Sequence, residues 1–83
     1  MTAIYDKLTE VLVTRFEVDS ADIRPDVTFE DLEMDSLFLV ELLVVLQSEI
    51  GMSISEDSAT THDTLEQAAA AIEAQISAAR VLP

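Results

Sequence analysis

Apolar side chains recur at a helical spacing along much of the chain, and no run of useful length alternates as a β-strand would. Residues 3–16 form the first such stretch, with an apolar stripe and a polar opposite face. The second begins at Asp35, whose carboxylate suits a helix N-cap, and ends before Gly51, the only glycine, which suits the left-handed position beyond a helix. Both stretches are therefore predicted to be α-helices.

A third helix is predicted towards the carboxyl end of the chain. Either Thr64 or Asp63 would cap it, and each has a Gln or Glu three residues later with which it would form a capping box. Residues 79–83 are expected to be a loose tail, and residues 55–60 have room for one or two turns of a short helix. Residues 17–34 lose the periodicity and are rich in turn formers. The predicted fold is all-α, a small bundle of three main helices plus one short helix, with a long first loop.

The length of 83 residues allows one small domain, residues 1–83. A domain of this size buries only about 60% of its unfolded surface, too little to enclose a deep catalytic cavity. Lys and Arg number 4 against 17 Asp and Glu, a net charge of −13, alongside 49% hydrophobic residues. Nucleic acids and anionic membranes are bound mainly through Lys and Arg, so neither is an expected partner, and the hydrophobic content favours a folded chain.

The densest apolar stretch, residues 37–46, contains Glu41 and is half the length needed to cross a bilayer. The amino terminus lacks a basic segment followed by an apolar one. A cytoplasmic protein without membrane insertion is therefore expected. Cysteine is absent, so any thiol chemistry in which the protein takes part must use an imported thiol.

The second predicted helix is apolar on both faces. Its inner arc contains Leu39, Leu42, Leu43, Leu46 and Ile50. Its outer face contains Leu37, Phe38, Val44 and Val45 around Glu41 and Ser48. Large apolar groups gathered on a solvent-facing helix indicate a docking surface for a partner. The alternative is a central helix that the rest of the fold, or self-association, covers on both sides.

Ser36 follows the N-cap Asp35, where the helix dipole and free backbone N–H groups favour a bound or attached phosphate. The alternative is that Asp35 and Ser36 only begin a helix, as an N-cap residue and its neighbour commonly do. His62, the only histidine, would be the base of a serine hydrolase, but the chain has no Gly-x-Ser-x-Gly elbow, and no enzymatic activity is predicted. Paired carboxylates such as Glu30 and Asp31 lack the spacing of an EF-hand loop, so no metal site is predicted.

The run from Phe29 to Leu37, with Asp-Ser-Leu at its end, resembles the acyl carrier protein family, in which this motif opens the second helix. Val40-Glu41-Leu42 and the run from Ile50 to Ile54 continue the resemblance, which covers nearly the whole chain. It implies that a phosphopantetheinyl transferase esterifies Ser36, between Asp35 and Leu37, with 4′-phosphopantetheine.

The resemblance further implies a non-catalytic carrier. Growing acyl or polyketide intermediates would ride as thioesters on the cofactor's thiol and be delivered to a ketosynthase and to acyl-loading and chain-modifying enzymes. Between these transient complexes the carrier is expected to be a monomer. Partner docking is expected, from the resemblance and from the outer face of the second helix, at Asp35, Leu37, Phe38, Glu41, Val44 and Glu56. The acyl chain is expected to retreat into a bundle interior lined by Leu39, Leu46, Ile54, His62 and Ile72.

Several positions depart from the family pattern, among them Gln47 and Ser48, which stand where further acidic residues are common. Glu33 stands where the family usually has glycine, so the turn before Ser36 must form without a residue that tolerates positive φ easily. Phe38 stands where fatty-acid carriers are often acidic, which favours a dedicated pathway such as discrete polyketide synthesis. The alternatives are a peptidyl or aminoacyl carrier, which the acidic context before Ser36 disfavours, and an unmodified acidic helical adaptor that binds a basic partner.

Overall fold

Three α-helices and a 3₁₀ turn are the helical elements whose bounds lie within residues 3–55 and 58–80, the part of the chain that the computed structural model describes. The part described contains no β-strand, only an isolated bridge between Thr28 and Thr64. The prediction of an all-α bundle is confirmed. The elements are α1 (Ala3–Arg15), the 3₁₀ turn (Ser20–Asp22), α2 (Ser36–Ile50) and α3 (Leu65–Arg80).

The ends of α2 are set by the two residues that the sequence indicates. The Asp35 carboxylate accepts a hydrogen bond from the Phe38 N–H at 3.0 Å. Gly51 adopts the left-handed conformation with φ of 78°, and its N–H donates to the Gln47 carbonyl oxygen at 2.8 Å. The first bond satisfies a backbone N–H group and the second a backbone carbonyl, each of which can lack a partner at the end of a helix. The helix α2 therefore begins and ends where predicted.

The start of α3 decides between the two predicted capping boxes. The Gln67 N–H donates to Thr64 Oγ1 at 3.1 Å, and the Thr64 N–H donates to Gln67 Oε1 at 2.9 Å. This reciprocal pair is the capping box of Thr64. At its other end α3 continues through Arg80, so residues 79 and 80, expected in a loose tail, are helical. Residues 81–83 lie outside the described part.

The long loop between α1 and α2 is joined to the start of α3 by backbone hydrogen bonds. The Leu65 N–H donates to the Val27 carbonyl at 2.9 Å, and the Glu66 N–H donates to the Pro25 carbonyl at 3.1 Å. Helix-start N–H groups have no acceptor within their own helix, and here the loop supplies them. The Glu30 N–H donates to the Thr61 carbonyl at 2.9 Å, which brings the α2–α3 connection beside the end of the loop.

The short helix predicted at residues 55–60 falls partly on residues 56 and 57, which lie outside the described part. The Ser58 N–H donates to the Ser55 carbonyl at 3.0 Å, a single bond of helical-turn type. Ser58 itself has the 3₁₀ conformation, which agrees with a helical turn in this segment. A separate 3₁₀ turn, Ser20–Asp22, lies in the long loop and is capped by the Asp19 carboxylate. Its Ala21 N–H donates to Asp19 Oδ1 at 2.9 Å, so a turn forms where no periodicity signals one.

The core is built from the facing sides of all three helices and from the long loop. Its fully buried large side chains are Leu8, Val11 and Leu12 of α1, Phe29 of the loop, Leu42, Leu43 and Leu46 of α2, and Leu65 and Ile72 of α3. Among the described residues no polar or charged side chain is buried. Phe29 anchors the loop at the centre of the bundle, a few residues before α2 begins. No helix of the described residues is both long enough and apolar enough to span a bilayer.

Candidate functional site

Ser36 is the first residue of α2 and is exposed. The first N–H groups of a helix have no intrahelical acceptor, and of these the Asp35 carboxylate takes that of Phe38. Within the described residues the Ser36 hydroxyl forms no hydrogen bond. The result is an unbonded hydroxyl at the positive end of a helix, with neighbouring N–H groups able to face an anion.

The turn that leads into α2 holds Glu33 in the left-handed conformation, with φ of 61°. The Glu33 N–H donates to the Glu30 carbonyl at 2.9 Å, and the Met34 N–H donates to the Phe29 carbonyl at 3.0 Å. The Met34 side chain is buried. The backbone here takes the conformation expected for the family's glycine, although a glutamate occupies the position.

A shallow groove of about 350 Å³ lies beside Ser36. Its lining combines carboxylates from the turn and the N-cap with one apolar and two hydroxyl side chains, namely Glu30, Glu33, Met34, Asp35, Ser36 and Thr61. The carboxylates disfavour a phosphate, but they are exposed, so water and salt screen them. The open groove, the free hydroxyl and the helix start fit a phosphate-linked group attached to Ser36. Thr61 and Met34 carry no signal in the sequence that would place them here.

His62 lies on the surface, with 82% of its side chain exposed, and its Nδ1 is 2.8 Å from Glu30 Oε2. The expectation that His62 lines the bundle interior is wrong, because the connection before α3 turns this residue outwards against a loop carboxylate. The imidazole contacts Glu30, and no contact between His62 and Ser36 is present among the described residues, so the structure does not support a hydrolase based on this pair. The other expected lining residues are buried in the core, namely Leu39, Leu46, Ile54 and Ile72.

Most of the predicted outer face of α2 is exposed, but Val45 is partly buried against the core. Leu37 is 66% exposed, Val44 53% and Phe38 47%, and Glu41 is exposed between them. The rest of the fold therefore does not cover these side chains, so docking of a partner and self-association are the explanations that stand for their apolar character. Glu56, also expected to dock partners, lies outside the described residues.

The end of α1 extends the outer face of α2, which the sequence does not reveal. The Phe16 and Phe38 rings meet edge to face, with centroids 6.5 Å apart and an interplanar angle of 82°. Phe16 directly follows α1, at the end of the first predicted helix. Periodicity within one segment shows which side is apolar but not which segment lies next to it, so this contact needed the three-dimensional structure.

Within the described residues the bundle presents a free serine hydroxyl at a helix start, an arrangement that suits the attachment of a phosphate-linked group. The family model described as "Phosphopantetheine attachment site" matches residues 6–72. An acyl carrier protein of Rubrobacter xylanophilus is 41% identical over 66 residues, 78% of this chain and 82% of the relative. One of Solidesulfovibrio magneticus is 35% identical over 72 residues, 86% and 92% of the two chains. The chain belongs to the acyl carrier protein family, whose cofactor is 4′-phosphopantetheine.

Proposed function

We propose that this acyl carrier protein holds its 4′-phosphopantetheine on the Ser36 hydroxyl. The observation that carries the proposal is the exposed, unbonded hydroxyl at the first position of α2. When bound, the group supplies the thiol that the chain itself lacks, on which acyl chains are held as thioesters.

Residues next to Ser36 fix the backbone at the attachment point. Asp35 caps α2, and buried Met34 fixes the turn that leads into it. Because the backbone is held on both sides of Ser36, the position from which its side chain projects is defined. The carboxylates of Glu30 and Glu33 beside it favour the approach of a transferase that brings cationic groups.

Intact-mass measurement tests the attachment residue. Incubation with coenzyme A and a permissive phosphopantetheinyl transferase is expected to add one phosphopantetheine to the protein, and Ser36→Ala is expected to abolish the addition. Ser48→Ala, which removes another exposed hydroxyl of α2, is the matched control and should be modified like the original protein. Modification of Ser36→Ala would show that another residue is used. A protein left bare by several transferases would favour the adaptor interpretation.

The protein acts as a carrier and as a substrate of other enzymes, not as a catalyst. It works as a cytoplasmic monomer that meets a ketosynthase and acyl-loading and chain-modifying enzymes in turn. The exposed side chains of Leu37, Phe38 and Val44 around Glu41 support docking on the outer face of α2, together with Asp35 at its start. Glu56 is retained as a docking residue on the family resemblance alone.

A dedicated pathway, such as discrete polyketide synthesis, is the finer assignment. Its support is Phe38, which makes the docking face apolar where a charged one suits a carrier shared by many enzymes. The test compares elongation of the acylated protein by a fatty-acid ketosynthase and by polyketide ketosynthases. Elongation is expected to be faster with at least one polyketide enzyme, and equal or faster elongation by the fatty-acid enzyme would contradict the assignment.

The carried chain is proposed to retreat among Leu39, Leu46, Ile54 and Ile72. These side chains are buried together with apolar neighbours, which supports a favourable environment for a hydrocarbon. They are also packed, so entry of a chain requires the bundle to open between its helices.

A further inference from the structure

A second groove, of about 420 Å³, runs between the end of α1 and the outer face of α2. Its floor is mainly apolar and its rim carries one positive and one negative side chain. The lining residues are Arg15, Phe16, Val40, Glu41, Val44 and Val45. The edge-to-face contact of Phe16 with Phe38 connects this groove with the docking face described above.

Arg15 is the basic residue without an ion pair among those whose side chains the structure describes, residues 3–55 and 58–78. Lys7 pairs with carboxylates of α1 and α2 at 3.7 and 3.8 Å, and Arg24 pairs with Asp26 at 3.5 Å. Although the chain has a net charge of −13, the Arg15 guanidinium beside this apolar groove remains available to pair with a carboxylate of another protein. Its planar guanidinium suits two parallel hydrogen bonds to such a group.

We propose that this groove binds a helical segment of a partner protein that carries an apolar side chain next to a carboxylate. The apolar side chain packs between Phe16 and Val44, and the carboxylate pairs with Arg15. An amphipathic helix laid into an apolar groove is an established way for proteins to recognise each other. The inference rests on the proposed function, since it assigns a partner's contact on the face by which the carrier docks.

The chemistry of this partner is the reverse of what the net charge alone would select. A strongly acidic protein attracts basic surfaces at long range, but at physiological salt this attraction decays over about 8 Å. The groove's two charged side chains are Arg15 and Glu41, so an acidic residue of the partner is favoured where it meets Arg15 and disfavoured where it meets Glu41. Because exposed ion pairs contribute little, the preference is expected to be about threefold in affinity.

Two helical peptides of about 15 residues test the proposal. They are identical except that the residue next to a central leucine is glutamate in one and lysine in the other. Titration of the ¹⁵N-labelled, phosphopantetheinylated protein, followed by NMR, is expected to show shifts centred on Phe16, Val40 and Val44. The glutamate peptide should bind about threefold more tightly than the lysine peptide.

Charge reversal supplies the matched pair of variants. Arg15→Glu is expected to reverse the preference, whereas Arg24→Glu, with the same change of net charge away from the groove, should preserve it. Tighter binding of the lysine peptide to the original protein, or shifts centred elsewhere, would overturn the proposal. Groove signals that move with protein concentration before any peptide is added would also overturn it, because they would show that a second copy of the chain occupies the groove.

The mass of the original protein before titration separates the two proposals. If phosphopantetheine is present and the peptide preference is absent, only the groove assignment fails. If the transferase adds nothing to the original protein, the carrier assignment fails whatever the peptides do.

Discussion

At Glu33 the backbone adopts a conformation that glycine takes more easily than glutamate. Its left-handed conformation costs an L-residue about 1 kcal/mol, and glycine avoids that cost. Glu33→Gly is therefore expected to raise the free energy of unfolding by up to about 1 kcal/mol, measured by urea denaturation. Glu41→Gly, inside α2, is the control and should lower it by about 1 kcal/mol. A loss of stability in Glu33→Gly would contradict the expected strain.

Tyr5, the only tyrosine, offers a pH-dependent test at the same scale. Burial, and then the carboxylates of Asp6, Glu66 and Asp26, raise the pKa of its phenol above the ordinary 10.0. The folded state holds this proton more tightly than the unfolded state. The contribution to stability is therefore complete below pH 10.0 and is lost as pH rises through the raised pKa.

Ultraviolet absorbance of the phenolate measures the pKa of Tyr5 directly, because the chain contains one tyrosine. The titration midpoint is expected above 10.0 in buffer and near the ordinary value in concentrated urea. A midpoint in buffer at or below the midpoint in urea would show that the folded environment of Tyr5 does not oppose its ionisation.

Residues whose roles depend on near neighbours in the sequence were predictable, and those that depend on distant segments were not. Asp35, Gly51 and Thr64 act within four residues of their own positions, so their capping roles follow from the sequence. The position of His62 depends on how the α2–α3 connection meets the long loop, which no local pattern specifies.

At the scale of elements, α2 joins the core to the docking face, and a substitution can separate the two. Val44→Asp adds a charge to the outer face while the buried face of α2 is unchanged. It is expected to slow acyl transfer with a ketosynthase that accepts the protein by about tenfold, the effect of losing one well-packed apolar contact. The free energy of unfolding should change by less than about 0.5 kcal/mol.

Ser48→Asp provides the matched control, because it adds the same charge to an exposed position of the same helix. Transfer rates that fall equally in both variants would point to net charge, and not to the docking face, as the determinant.

The three main helices were predictable because each has its own apolar periodicity, whereas the links between elements were not. The backbone bonds from the long loop to α3 involve no side-chain pattern. The groove between α1 and α2 likewise arises from the packing of two helices, each of which the sequence describes only separately.

At the scale of the whole molecule, retreat of the carried chain would make the bundle and its cargo stabilise each other. Each buried methylene contributes about 0.8 kcal/mol, so the midpoint of thermal unfolding should rise with acyl length, by about 4 °C or more per kcal/mol gained. Circular dichroism of the protein loaded with acetyl, hexanoyl and decanoyl groups measures the trend. Equal midpoints for all three would show that the chain stays outside.

Apolar periodicity and composition were sufficient to predict an all-α bundle, because the aliphatic residues recur at helical spacing and the chain has only one glycine. They could not predict whether the interior has room for a cargo. Packing within the bundle depends on the fit of buried side chains from all three helices, which only their arrangement in space defines.

Backbone hydrogen bonds between residues 25–30 and 61–66 join the long loop to the start of α3. The amide hydrogens of Leu65 and Glu66, which in an isolated helix would exchange rapidly with solvent, are held by carbonyls of the loop. Their exchange requires the two segments to separate. Hydrogen exchange at these two amides therefore reports how often the long loop separates from the start of α3.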